Sequence, residues 1–219
     1  MGPGGYITPP PEDFQIAAEI VRRYGGVFIS DEVQTGFGRT GGKMWGIEKW
    51  GVEPDIMTMA KGVANGLPLG VTIATPEIAA SLKALSISTF GGNPVSCAAA
   101  NATIRIIEEE NLPANAERMG RRLREGLERL QHRHPNFVGE VRGMGLMQAV
   151  ELVEDETAGN RTPAKALTLQ VFEETKKRGL LIGRGGLESN VLRIAPPLTV
   201  TAADVDEALQ ILGDSFAAI

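Results

Sequence analysis

Hydrophobic residues form two short uninterrupted runs near the start of the chain. The runs cover residues 27–30 and 56–60, and each ends at a charged residue, Asp31 in the first case and Lys61 in the second. Runs of this length with few polar positions are typical of buried strands in a parallel sheet. Because ligands of open α/β sheets bind beyond the carboxyl ends of the strands, we expect Asp31 and Lys61 to face the same crevice.

The rest of the first half alternates helical and extended patterns. Apolar residues at helical spacing predict a helix over residues 12–24, after an irregular Gly/Pro-rich stretch at residues 2–11. A third strand is predicted at 70–74 and a short helix at 76–85. Asn93 followed by Pro94 is the expected start of a long helix, because Asn caps helices well and Pro suits their first position.

The second half has a different pattern, which predicts a separate small α/β domain. It opens with an amphipathic helix over residues 114–133, whose apolar stripe includes Leu123 and Leu127. Short strands then alternate with helices: strands at 137–141, 145–152, 180–183 and 191–194, and helices at 164–178 and 202–217. We therefore expect two domains, at residues 1–112 and 113–219.

Composition and charge narrow the class of protein. The 219 residues are 42% hydrophobic and 22% charged, with a net charge of −5, which is typical of a soluble globular protein and gives no basic surface for nucleic acid or an anionic membrane. The single cysteine, Cys97, excludes an internal disulfide framework. No apolar run reaches the roughly 18 residues of a membrane span. The expected location is the cytoplasm, or an organelle matrix if a targeting segment precedes this stretch.

An amine and a carboxylate at one sheet edge indicate a specific chemistry. A desolvated lysine can attack a carbonyl to form a Schiff base, and a facing carboxylate can stabilise a protonated ring nitrogen. Pyridoxal phosphate needs both partners. The alternative for either residue alone is structural, since Asp31 could cap a loop and Lys61 could be a solvated surface amine.

Four stretches carry a more specific signal. They are DEVQTGFGRTG at residues 31–41, PDI at 54–56, KG at 61–62 and STFGGNP at 88–94. In this order and spacing they closely resemble the class III pyridoxal-phosphate aminotransferases, nearest to the alanine–glyoxylate and ω-amino-acid branch, and the likeness covers nearly the whole chain. The resemblance implies part of a fold-type I large domain, built on a mainly parallel sheet, plus a small carboxyl-terminal α/β domain.

The resemblance also implies roles for individual residues. Lys61 would bind the cofactor and then carry the proton between two carbons, and Asp31 would pair with the pyridine nitrogen. Val33 would press on the ring, Gln34 would donate to the ring hydroxyl, and Thr89 would contact the cofactor phosphate of the neighbouring subunit. Taken singly, the last three residues would otherwise be a core valine, a surface glutamine and a helix-entry threonine.

Arg193 is the candidate for substrate binding. It lies in the apolar stretch VLRIAPPL, residues 191–198, and matches the family arginine that binds the substrate carboxylate. A guanidinium group can form two parallel hydrogen bonds to a carboxylate, and burying it without a partner is costly. An internal salt bridge is the alternative. The glycine-rich stretch at residues 183–186 is interpreted as a turn, and His132 and His134 lack the further ligands of a metal site.

The expected function is a transaminase that moves an amino group from alanine or another ω- or β-amino acid to a 2-oxo acid such as pyruvate or glyoxylate. A homodimer with its active site at the interface is implied. Family members are about twice as long, and their first half holds the phosphate loop and the aromatic residue that stacks on the ring. The alternative is therefore a truncated, non-catalytic module or half of a split enzyme, which we expect to be inactive alone.

Overall fold

The structure is a computed structural model that describes residues 4–219, so Gly2 and Pro3 of the predicted irregular stretch lie outside it. Two compact units make up the chain. One is Pro9–Ala114, and the other is Asn115–Ile219 together with the segment that ends at Thr8. The predicted domains, 1–112 and 113–219, stay a prediction, and the observed units differ from them mainly by assigning that first segment to the carboxyl-terminal unit.

The first unit alternates helices and strands as predicted, with small shifts at the ends. Its regular elements are α1 (Asp13–Arg23), β1 (Ile29–Asp31), β2 (Ile56–Met59), β3 (Val71–Ala74), α2 (Pro76–Ser81) and α3 (Pro94–Glu109). Two short 3-10 helices, Gly46–Trp50 and Lys61–Ala64, were not predicted. The Asn93 cap is confirmed, because its Oδ1 accepts the Ser96 backbone N–H at 3.0 Å. A further helix, α4 (Leu112–Arg133), leads from this unit into the second.

The strands of this unit are only partly as predicted. Strand β1 pairs with β2 in parallel, which confirms the predicted arrangement of the first two runs, whereas β3 pairs with β2 antiparallel. The predicted burial of the first two runs is wrong for β1, where Ile29 is 55% exposed, whereas β2 is half-buried and ends at the buried Met59. Helix α1 packs against Gly46–Trp50, and α3 packs against Lys61–Ala64.

One ion pair fixes the start of both parallel strands. The Asp55 carboxylate accepts Arg22 Nη2 at 3.0 Å and Arg22 Nε at 3.3 Å, and it also accepts the Phe28 backbone N–H at 2.7 Å. The Arg22 hydrogen bond, followed by that of the Phe28 N–H, lowers the pKa of Asp55. Helix α1 and the entries of β1 and β2 are thereby tied at one point.

We expect Asp55→Asn to destabilise the first unit at neutral pH and by a smaller amount in acid. The folded-state pKa lies below the unfolded value of about 3.9, so the carboxylate's contribution is present above that pH and is lost as pH falls through the folded pKa. The effect is modest because Arg22 is 44% exposed. The check is the urea midpoint of tryptophan fluorescence at pH 7 and pH 3, since Trp45 and Trp50 both lie in this unit. Glu19→Gln, on an exposed face of α1, is the control, and an equal loss at both pH values would contradict the prediction.

The second unit is an antiparallel sheet packed on helices. Its strands are β4 (Val138–Met144), β5 (Met147–Asp155), β6 (Asn160–Pro163), β7 (Gly183–Gly185) and β8 (Val191–Ile194), in the order β4-β5-β8-β7 with β6 on β5. Helices α5 (Lys165–Lys177) and α6 (Ala202–Ala217) complete it with most of α4. The limits of β8 and α6 are those predicted, while β6 was missed.

The apolar stripe of α4 lies in the core of this unit. Leu123, Leu127 and Leu130 are at most 2% exposed, and they pack with apolar residues of the sheet and of α5 and α6. Full burial of a leucine stabilises a fold by about 1.5–3 kcal/mol, so this stripe holds α4 on the sheet. Among the described residues, no helix combines the length and apolar character needed to cross a membrane.

The stretch predicted as a turn at 183–186 is instead an edge strand followed by a turn. Gly183–Gly185 pairs antiparallel with β8, placing Gly183 opposite Arg193 and Gly185 opposite Val191. The turn begins only at Gly186, which has φ +84°. The predicted strand at 180–183 was therefore placed too early, because ladder pairing with β8 outweighed the apolar pattern of Leu180–Ile182.

Candidate active site

Asp31 is the last residue of β1 and lies opposite Thr58 of β2. Its Oδ1 accepts the Val33 backbone N–H at 3.1 Å and lies 3.4 Å from the Thr58 hydroxyl, which donates to it. The side chain is exposed at the carboxyl edge of the sheet. These two contacts orient the carboxylate without neutralising its charge, so it can still hold a positive group.

Lys61 begins a 3-10 helix directly after β2, with Ala60 extended at its N-cap. Its φ of +47° is unusual for a residue other than glycine. A backbone held in this region is strained by about 1–3 kcal/mol, and such strain is concentrated at functional sites. Val63 and Ala64 anchor the turn by their burial, while Lys61 itself is exposed. The fold therefore fixes the backbone of Lys61 and leaves its amine accessible.

The register of the strands brings the two groups to one edge. Asp31 and Thr58 are partners in a parallel ladder, and Lys61 follows Thr58 by three residues. Both charged residues therefore stand beyond the carboxyl ends of adjacent parallel strands, where ligands of α/β sheets bind. A carboxylate and an amine so placed match the two partners that pyridoxal phosphate requires, so the donor set fits this cofactor.

The other predicted residues are distributed differently. Val33 and Gln34 lie two and three residues after Asp31 and are half-buried. Thr89 is exposed in the loop between α2 and α3. Arg193 lies in β8 of the second unit, opposite Ala149 and Gly183. The structure thus groups Asp31, Val33 and Gln34 with the lysine edge and leaves the roles of Thr89 and Arg193 as predictions.

Glu32 is a residue that the sequence reasoning missed. It is 1% exposed, and its carboxylate accepts four hydrogen bonds: from the Ser30 hydroxyl (3.1 Å), the Thr35 hydroxyl (2.5 Å), the Gly46 N–H (2.9 Å) and the Ile47 N–H (2.8 Å). Successive residues of a strand point to opposite faces, so an acidic pair at a strand end could have indicated that one of the two points inward.

The bonds of Glu32 tie the end of β1 to the 3-10 helix Gly46–Trp50, and so support the loop that carries Asp31. No group of three or more potential metal-binding His, Cys, Asp or Glu side chains occurs in residues 4–219.

Solved structures of a phospholyase and of a transaminase share the fold of this chain. The chain superposes with a TM-score of 0.93 on a phospholyase from Arthrobacter in complex with phosphoethanolamine, at 40% identity, covering 99% of this chain and 51% of that one. It superposes with a TM-score of 0.92 on a transaminase from the marine bacterium Virgibacillus, at 36% identity, with 99% and 51% coverage. The fold class implied by the sequence is confirmed.

The sequence comparisons identify the family. The chain is 48% identical over 207 residues to alanine–glyoxylate aminotransferase 2 homolog 2, mitochondrial, of Arabidopsis thaliana, covering 94% of this chain and 43% of that protein. It is 43% identical over 213 residues to the human alanine–glyoxylate aminotransferase 2, mitochondrial, with 96% and 41% coverage. The aminotransferase class-III family model matches residues 1–216, and the chain belongs to that family. Class III aminotransferases depend on pyridoxal phosphate.

Proposed function

We propose that the protein containing this chain is a pyridoxal-phosphate transaminase. It would move an amino group from alanine or a β- or ω-amino acid to a 2-oxo acid such as pyruvate or glyoxylate. The observation that carries the proposal is the placement of Asp31 and Lys61 at the carboxyl edge of two parallel strands, in a chain of the class III family. The chain spans less than half the length of the two curated relatives, so the activity is proposed for the whole protein.

The proposed roles follow from what each side chain can do. When bound, pyridoxal phosphate supplies an electron sink for negative charge on the carbon that loses its amino group. The Lys61 amine would hold the cofactor covalently. Once the amine is released from the cofactor, it would accept and return a proton as a general base. The Asp31 carboxylate would keep a proton on the ring nitrogen. Its bonds from Val33 N–H and Thr58 fix its direction.

The remaining predicted residues have proposed roles of their own. Val33 would pack on the ring, Gln34 would donate to its hydroxyl, and Arg193 would bind the substrate carboxylate through its planar fork of donors. Thr89, exposed on the loop before α3, would reach the phosphate bound by a second copy of the chain. We therefore propose a homodimer with the site at the interface. The names of both curated relatives say mitochondrial, which favours the organelle alternative for location over the cytoplasm.

We expect Asp31→Asn to slow amino transfer by about 10²-fold or more, the lower range for loss of a group that controls protonation. The amide keeps the shape and the Val33 N–H bond but removes the charge that would hold the ring proton. The check is steady-state transfer from β-alanine to pyruvate, with Asp13→Asn on exposed α1 as the control. A rate within twofold of wild type would remove Asp31 from this role.

The test of the proposed function is covalent trapping. The purified chain would be mixed with pyridoxal phosphate, its absorbance recorded, and the mixture reduced with borohydride before peptide mass mapping. A label confined to Lys61 supports the proposal. Labels scattered over several lysines, or none, favour the alternative of a non-catalytic module or half of a split enzyme. In the intact protein, phosphate release from phosphoethanolamine without transfer to a 2-oxo acid would indicate a lyase instead.

A further inference from the structure

Tyr6 is buried on one face of the second unit's sheet. It is 6% exposed and packs in a small cluster with Met147, Ala149 and Val191. Its φ of +60° is in the left-handed region, which a tyrosine adopts only where its surroundings enforce it. In the sequence this segment is part of an irregular Gly/Pro-rich stretch, so neither its docking nor its partner was expected.

The backbone next to Tyr6 is fixed by a buried arginine. Arg142 Nε donates to the Gly5 carbonyl at 2.9 Å. The Arg142 side chain is 9% exposed and pairs through Nη1 with Glu140 at 2.7 Å and Glu151 at 2.5 Å. The two carboxylates thus fix the Arg142 guanidinium, which in turn fixes the Gly5 carbonyl. Tyr6 is therefore held both by its packing on the sheet and by this charged cluster.

Tyr6 in turn contacts Arg193. Arg193 Nη2 donates to the Tyr6 hydroxyl at 3.2 Å, and the guanidinium carbon lies 4.7 Å from the centre of the Tyr6 ring. On another side, a Cβ added to Gly185 would come within 2.8 Å of Arg193 Cδ, so the bare backbone of β7 leaves just enough room for the side chain. The guanidinium of Arg193 is therefore confined by an aromatic ring, a hydroxyl and a neighbouring strand.

We propose that Tyr6 is a positioning residue that holds Arg193 in the orientation that binds a substrate carboxylate, an inference that rests on the proposed function. Immobilising a free arginine side chain costs rotamer entropy. Where Tyr6 has already ordered the group, a carboxylate meets a preorganised fork and that cost does not weaken binding. Tyr6 thereby sets affinity for donors that carry a carboxylate, and does not itself touch the reacting carbon.

Two substitutions separate the contributions of Tyr6. Tyr6→Phe keeps the ring and removes the hydroxyl that accepts from Nη2. Tyr6→Leu removes both. Because a cation–π contact and a charged hydrogen bond each contribute modestly, we expect carboxylate affinity to fall about 3-fold in Tyr6→Phe and about 10-fold in Tyr6→Leu. Tyr24→Phe is the matched control, since Tyr24 is 84% exposed.

The experiment follows the Nε–H resonance of Arg193 by ¹H–¹⁵N NMR on the 219-residue chain during an acetate titration. The resonance is identified by its loss in Arg193→Lys. We expect a sharp resonance that shifts with acetate in the wild type and in Tyr24→Phe. In the two Tyr6 variants we expect a broadened resonance and the weaker affinities given above. Unfolding midpoints are measured in parallel, and Tyr6→Phe keeps the test valid should Tyr6→Leu fail to fold.

The outcomes separate this inference from the proposed function. If acetate shifts Arg193 equally in the wild type and both Tyr6 variants, Tyr6 has no positioning role and the assignment of Arg193 to the substrate stands. If acetate does not shift Arg193 in the wild type, its carboxylate role is wrong and the Tyr6 inference fails with it. Covalent trapping at Lys61 is unaffected by either result and still decides the cofactor assignment.

Discussion

Lys61→Ala is expected to abolish amino transfer, with a loss of at least about 10³-fold, because one amine serves both as nucleophile and as proton carrier. The fold around it should be retained. The side chain is exposed, and the buried Val63 and Ala64 rather than Lys61 anchor the turn after β2. The measurement is steady-state transfer from β-alanine to pyruvate by the intact protein, with far-ultraviolet circular dichroism to confirm folding.

Two further variants define what the loss means. Lys61→Arg keeps the positive charge but should be as inactive as Lys61→Ala, since a guanidinium stays protonated and cannot act as nucleophile or base. Lys176→Ala is the matched control, because Lys176 is an exposed helix lysine whose ion pair with Glu173 spans 3.6 Å. Activity in Lys61→Arg near that of the wild type would show that Lys61 acts only as a charge, and the proposed chemistry would have to be abandoned.

The position of Lys61 could be predicted from the sequence because it depends on local order along the chain. A short apolar run that ends at a charged residue places that residue at the carboxyl end of a strand. The parallel pairing of the two strands was predicted as well, and the pairing of β1 with β2 confirmed it. The Asn93–Pro94 helix start and the extents of β8 and α6 were predictable for the same reason: capping chemistry and periodicity lie within a few residues of each other.

Properties that depend on distant residues were not predictable. The burial predicted for β1 assumed a covering layer that this chain does not place over Ile29. The contact between Tyr6 and Arg193 joins residues 187 positions apart. No local pattern in the Gly/Pro-rich stretch indicates that it docks on the second unit's sheet. The edge strand Gly183–Gly185 was interpreted as a turn, because glycines are typical of turns. Glycine also occurs in strands where another group comes close to the backbone, and here the strand pairs with β8.

The role of Glu32, within the candidate active site, also depends on distant residues and was not predictable from the local sequence. Its neighbour Asp31 was chosen as functional, yet Glu32 is the buried member of the pair and has four donors on its two oxygens. Two of those donors, Gly46 and Ile47, lie 14 and 15 residues further along the chain. The sequence shows an acidic residue at this position. The need for a carboxylate becomes clear only from the 3-10 helix Gly46–Trp50, whose backbone N–H groups donate to it.

Glu32→Ala is expected to lower the free energy of unfolding of the first unit by about 3–5 kcal/mol, near the upper end for single substitutions. The substitution leaves the Gly46 and Ile47 N–H groups buried without an acceptor, and it removes the acceptor of the Ser30 and Thr35 hydroxyls as well. The check is urea unfolding followed by the fluorescence of Trp45 and Trp50. A loss below about 1 kcal/mol, the net value of one ordinary hydrogen bond, would contradict a bracing role for Glu32.

Glu32→Gln gives a sharper form of the same prediction, because it changes charge and hydrogen bonding but not size. Each carboxylate oxygen of Glu32 accepts one backbone N–H, Oε2 from Gly46 and Oε1 from Ile47. An amide has only one oxygen, so whichever way it is oriented its NH₂ group faces one of these donors. We expect an intermediate loss of about 1.5–3 kcal/mol. The control is Glu48→Gln in the 3-10 helix Gly46–Trp50, where an exposed carboxylate accepts the Trp45 N–H at 2.8 Å, and reorientation of the amide preserves that bond. Equal losses in the two variants would mean that the general charge of the loop, and not the paired acceptors of Glu32, stabilises the base of the candidate active site.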